Sequence, residues 1–179
     1  MRRIALLVVA LLLGTSLLAP GIAAKGKGEI GFDLGWADLD DELGGGSELA
    51  TIRGGYHATD RFMLEGQVEG IFPDCEVSGE CADLLVIYVN GQYKFRPDKS
   101  VEPYILLGAG WADIEDDYNP FVEDPFKGQL VVQVGAGSRF YFGKKKNAAV
   151  RLEVTGAFFE DTSNANAQVG LLWRFGGGS

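Results

Sequence analysis

Four groups of residues in this chain have types and spacings that could do chemistry. The two cysteines, Cys75 and Cys81, stand in CEVSGEC with five residues between them. In an oxidising compartment such a pair is expected to close a short disulfide ring, whereas zinc would need further nitrogen or sulfur ligands close by. The sole histidine, His57, lies in HATD and far from both cysteines in sequence. Hydrolytic use of a histidine calls for a nucleophile and an orienting carboxylate in a fixed constellation, and HATD does not set one out, so His57 reads as structural. No catalytic residue, metal or other cofactor is expected. A third group, Arg53, Glu65, Glu69, Lys94, Arg139, Arg151, Glu153 and Arg174, carries mixed charge at alternating positions of polar-apolar segments. The fourth is acidic: Asp38, Asp40, Asp41, Glu42 and Glu48, then Glu115, Asp116, Asp117, Glu123 and Asp124. Oxygen-only clusters suit calcium or magnesium, but no EF-hand spacing is present, and solvated loops have the same composition.

The first 24 residues, MRRIALLVVALLLGTSLLAPGIAA, have the zones of a secretory signal: Arg2 and Arg3, an apolar run from Ile4 to Leu13, and a small-residue exit from Pro20 to Ala24. That run is about half the length of a membrane-spanning helix. No cysteine sits near the exit to take a lipid. Residues 25–179 suit one domain. Loss of the two arginines with the signal takes the formal charge from −9 to −11, and an acidic product without a basic stripe speaks against nucleic acid as partner.

Period-two segments at 28–38, 48–58, 61–73, 83–96, 101–113, 128–142, 148–159 and 166–175 predict eight strands, and no helical stripe competes with them. Long or polar connections at 39–47, 74–82, 114–127 and 160–165 alternate with short ones at Thr59-Asp60, 97–100 and 143–147. An antiparallel up-and-down β-barrel accounts for that alternation, because successive hairpins turn at opposite ends and only one rim need be elaborated.

Which face lies inside is settled by the aromatics. Phe62, Leu64, Val68 and Phe72 alternate with Glu65, Gln67 and Glu69, and Val150, Leu152, Val154 and Phe158 alternate with Arg151, Glu153 and Thr155. On the apolar faces, Trp36, Phe72, Trp111 and Phe158 fall near the long connections, and Tyr56, Phe62, Phe95, Phe140, Phe142, Trp173 and Phe175 near the short ones. Two bands of aromatics at two heights match the two interfaces of a bilayer, while a dry protein core has no reason to form them. The apolar face is therefore expected to meet lipid. The eight charges of the third group then lie in the lumen, where they must pair, Glu65, Glu69 and Glu153 with the bases. The result is a polar plug or, alternatively, a narrow pore whose charges exchange partners. A soluble lipocalin-like carrier would need the opposite facing.

On PYILLGAGW (Pro103 to Trp111), VGAGSRFYF (Val134 to Phe142) and a closing strand ending in Phe175, the chain resembles the small eight-stranded outer-membrane barrels, the group of OmpX, the OmpA transmembrane domain and the opacity proteins. The resemblance implies a transmembrane barrel in a Gram-negative outer membrane, with roles in envelope integrity, surface interaction or adhesion through four extracellular loops. It also implies that the closing strand is read by the outer-membrane assembly machinery, although here Gly176 to Ser179 follow Phe175. Expected partners are outer-membrane lipid, lipopolysaccharide, that machinery and an extracellular ligand of the loops, with the barrel a monomer. Some barrels of this kind are lipid A modifying enzymes, an alternative that the absent serine-histidine constellation disfavours.

Overall fold

The computed structural model describes residues 27–39, 46–73, 83–97, 99–115, 128–143, 146–159 and 162–176. The signal segment, Cys75, Cys81, Asp40, Asp41, Glu42, Asp116, Asp117, Glu123 and Asp124 lie outside them. Eight strands follow one another: β1 Gly28–Leu39, β2 Gly46–His57, β3 Phe62–Pro73, β4 Asp83–Lys94, β5 Val101–Glu115, β6 Gln129–Phe142, β7 Ala148–Phe158 and β8 Ser163–Phe175. Each pairs antiparallel with its sequence neighbours, and β8 pairs with β1 to close the barrel. Among the described residues no helix is long and apolar enough to cross a membrane.

The strands exceed the sequence expectation at the elaborated rim. β1 and β2 continue to Leu39 and from Gly46, β5 reaches Glu115, and β8 begins at Ser163. Polar Ser163 and Asn164 read as loop, yet the register sets them against Phe158 and Ala157. At the other rim β4 stops at Lys94, where the chain turns and the Phe95 amide donates to the Pro103 carbonyl at 3.0 Å.

Following the register once round, from Gly28 through Tyr56, Leu64, Gly91, Leu107, Val134, Gly156 and Ala165, returns to β1 at Asp38, ten residues on. A stagger of ten at ~3.3 Å per residue across eight strands ~4.8 Å apart tilts the strands by about 40°. Alternate side chains fill a lumen of that width. Arg53, Glu65, Lys94, Arg139, Arg151 and Glu153 are buried, while their strand neighbours Leu64, Phe140 and Leu152 are exposed on the outer wall. Inward glycines make the room these long side chains need: a Cβ at Gly137 would run into the Tyr104 hydroxyl, and one at Gly170 into the Asp33 carboxylate.

The aromatics lie on the outer wall as two bands. Trp36, Trp111 and Phe158 are exposed and Phe72 half-buried near the long connections; Tyr56, Phe62, Phe95, Phe140, Phe142 and Trp173 are exposed and Phe175 half-buried near the short turns.

Candidate functional site

The inward face is built in layers. Next to the short turns, Glu29 of β1 accepts hydrogen bonds from His57 Nε2 at 2.8 Å, the Tyr141 hydroxyl at 3.0 Å and Arg174 Nε at 3.0 Å, and Arg139 Nε pairs with it at 3.3 Å. Lys94 Nζ lies 2.7 Å from His57 Nδ1. An ammonium can only donate, so Nδ1 accepts and Nε2 carries the proton given to Glu29. Arg174 stacks over the Tyr141 ring at 4.3 Å, bonds its hydroxyl and reaches Glu102 at 3.3 Å. Arg139 bonds Gln92 and lies 4.3 Å over the Tyr104 ring.

Above this, Arg53 bridges three carboxylates, with Nε 2.5 Å from Asp33 and one terminal nitrogen 3.1 Å from Glu65 and 3.0 Å from Glu153. Its other terminal nitrogen donates to Gln168 at 2.8 Å. Arg151 binds Glu65 at 2.7 Å and also Glu153, whose second oxygen takes the Tyr104 hydroxyl at 2.6 Å. Two guanidinium forks thus tie together three acids drawn from β1, β3 and β7, the kind of geometry that makes burial of charge tolerable.

Glu69 occupies the next layer on different terms. Its four donors are neutral: Gln67 at 3.0 Å, Gln168 at 3.0 Å, Asn166 at 3.2 Å and Thr51 at 3.4 Å. The expectation that Glu69 pairs with a base is therefore corrected. Arg53 is taken up by acids one layer below, and the side chains reaching Glu69 are amides and a hydroxyl. Toward the long connections the lumen holds a buried apolar cluster of Ala37, Leu49, Ile71, Leu84, Val86, Tyr88, Ala112, Val131, Ala157 and Phe159, with buried Ser47, Asn164 and Asn166 at the same level.

All eight charges singled out in the sequence lie within the barrel, Arg174 half-buried and the rest buried. Four of them, Arg53, Glu65, Arg151 and Glu153, meet in one cluster; Lys94, Arg139 and Arg174 gather by the short turns; Glu69 stands apart. Sequence reasoning missed Glu29, Asp33 and Glu102, and missed His57 as a member of the network. Among the described residues the lumen holds six carboxylates, Glu29, Asp33, Glu65, Glu69, Glu102 and Glu153, with Arg53, Lys94, Arg139, Arg151, Arg174 and His57. Each missed acid lies on the inward parity of its strand. Among the described residues no group of histidine, cysteine or carboxylate side chains could hold a metal ion. Of the acidic loop residues, Asp38, Glu48 and Glu115 lie among the described residues, where Asp38 and Glu48 are exposed and Glu115 ends β5.

A charged lumen inside an apolar wall with two aromatic bands is the arrangement of a membrane barrel, and residues 5–175 match the outer membrane protein beta-barrel domain family. The chain belongs to this family. Its place is the outer membrane of a Gram-negative envelope, and its outer wall faces lipid. Neisserial surface protein A superposes on this barrel with a TM-score of 0.70 at 15% identity, over 84% of this chain and 100% of that one. Ail, the attachment invasion locus protein of Yersinia pestis, gives 0.57 at 16% identity over 84% and 99% of the two chains. OprG from Pseudomonas aeruginosa gives 0.58 at 12% identity over 85% and 97%. At such identities the likeness is one of fold. No curated protein matches the chain in sequence.

Proposed function

We propose that this outer-membrane barrel is a non-enzymatic surface protein: the lumen is a sealed structural plug, the short turns and both ends of the barrel domain face the periplasm, and the long connections carry interaction with the cell's surroundings or support the envelope. The observation that carries the reading is the layering of the lumen. Ion pairs from four strands, β1, β2, β3 and β7, fill its middle, and a buried, mainly apolar cluster with Ser47, Asn164 and Asn166 among it fills the end toward the long connections. A conducting pore needs a continuous polar path, and an apolar constriction of this kind excludes ions by staying dry. Purified protein in planar bilayers should therefore give no reproducible unitary conductance. A defined single-channel step from pure protein would overturn the plug.

The names of two fold relatives, a surface protein and an attachment protein, agree with a role at the cell surface. Ail has also been solved with the heparin analogue sucrose octasulfate. The long connections of this chain are rich in acid, which disfavours such a polyanion here and favours a cationic or cation-bridged partner. Loss of surface binding, or of detergent resistance, in a deletion strain tests this half of the reading.

A further inference from the structure

We propose that the turns β2–β3 and β4–β5 form a binding site for an anionic glycerophospholipid, with Arg61, Arg96 and Lys99 holding its phosphate and Phe62, Tyr93 and Phe95 lying along its acyl chain. That the lipid belongs to the periplasmic leaflet rests on the orientation proposed above; the binding does not.

Four observations converge on this place. The register sets Phe62 opposite Tyr93, and the rings form a continuous edge-to-face series, Phe62 to Tyr93 at 6.4 Å and Tyr93 to Phe95 at 5.4 Å, on the lipid-facing wall. Arg61 donates to the Tyr93 hydroxyl at 3.1 Å. That bond holds the exposed guanidinium beside the rings, at the level where phenol and indole groups settle in a membrane interface. The Arg61 and Phe62 amides are in turn held by the Thr59 hydroxyl at 3.3 and 2.9 Å, so the turn is shaped before any lipid arrives. Beside the rings lies a hollow of about 530 Å³ lined by Phe95, Arg96, Pro97, Lys99 and Val101. Two cations and three apolar side chains in one wall suit a molecule that is anionic at one end and greasy at the other.

Charge distribution selects this lipid over the phosphates of lipopolysaccharide. Among the described residues outside the lumen, the basic ones, Lys27, Arg61, Arg96, Lys99 and Lys146, lie in or beside the short-turn end with the acid Asp60, while Asp38 and Glu48 lie at the other rim. The opposite rim is acidic and repels a phosphate. Each Lys or Arg near a bilayer surface adds about 1 kcal/mol to attraction for anionic lipid, so removing three should weaken the preference by about a hundredfold.

The test is native mass spectrometry of the full chain in detergent, offered palmitoyl-oleoyl phosphatidylglycerol or the phosphatidylcholine of the same chains. The wild-type protein should retain phosphatidylglycerol in clear preference, and the variant Arg61→Gln, Arg96→Gln, Lys99→Gln should lose that preference. Heat-modifiable migration checks that the variant is folded, and Asp38→Asn with Glu48→Gln at the other rim should retain the lipid as wild type does. Equal retention of the two lipids by the wild type, unchanged preference in the triple variant, or displacement of the phosphatidylglycerol by equimolar lipid A would overturn the proposal. Orientation is read separately, by labelling Lys99→Cys in a Cys75→Ser, Cys81→Ser background with an impermeant maleimide. Labelling in intact cells would overturn the assigned leaflet while leaving the binding result to stand on its own.

Discussion

Arg53→Met will destabilise the folded barrel by about 3–5 kcal/mol, the cost typical of stranding a buried charge by removing its partner. The reason lies in how unevenly its three carboxylates are served. Glu65 and Glu153 keep Arg151 when Arg53 is gone, at 2.7 Å in the first case and in direct contact in the second. Asp33 has less in reserve: among the described residues its direct ion pair is with Arg53 Nε at 2.5 Å, Arg151 acting on it only from beyond contact distance, and it is buried beside Gly170. The double variant Arg53→Met, Asp33→Asn should then recover at least about half of the loss, because the amide removes the stranded charge and leaves a group that the lumen can hydrogen-bond. Urea-induced unfolding in lipid vesicles, followed by the shift of the unheated band on gels, reads both effects. Additive losses in the double variant would mean that Asp33 and Arg53 stabilise the barrel independently, and the network described here would be wrong at its centre.

How far the lumen could be read in advance follows from where alternation is clean. In RLEV and EGQVE every second residue is charged or amide, so Arg151, Glu153, Glu65 and Glu69 reveal their facing without a structure. Glu29 and Glu102 stand second in β1 and β5, where the uncertainty of a strand end is as large as the period being sought. Asp33 is hidden differently, since its inward neighbours in β1 are Gly31 and Gly35, and a face of glycines gives no polar signal. Partner choice is harder still. Glu69 and Glu65 have the same sequence character, yet one meets two arginines and the other four neutral donors. That difference depends on the ten-residue stagger, which sets β8 amides against β3 acids across the lumen and is invisible in any single strand. The apolar cluster was obscured for the opposite reason: in DLLVIYV both faces are apolar, so alternation vanishes where Leu84, Val86 and Tyr88 turn inward and Ile87 and Val89 turn outward. Leu172, an apolar residue on the inward face of β8, packs against Tyr141 and Ala149.

The second large effect concerns the wall, and it separates facing from strand stability. Leu152 lies near the middle of β7, outward and 48% exposed, between inward Arg151 and Glu153. Leu152→Arg should cost about 2–4 kcal/mol, the penalty for a guanidinium at the bilayer midplane of a barrel. A change to arginine at Ala58, exposed in the turn between β2 and β3, should cost nothing measurable. In a water-soluble barrel the position would behave like an ordinary exposed strand site, where exchange of leucine for arginine is nearly neutral. Stability in thin-tailed and thick-tailed vesicles adds a dependence that only lipid can impose: a charge near the centre of the wall reaches headgroups more easily across a thin bilayer, so the penalty should shrink as the tails shorten. A penalty independent of tail length would assign the loss to disturbed strand pairing with Val169 and Ser138, and the outward face would need another explanation than hydrocarbon.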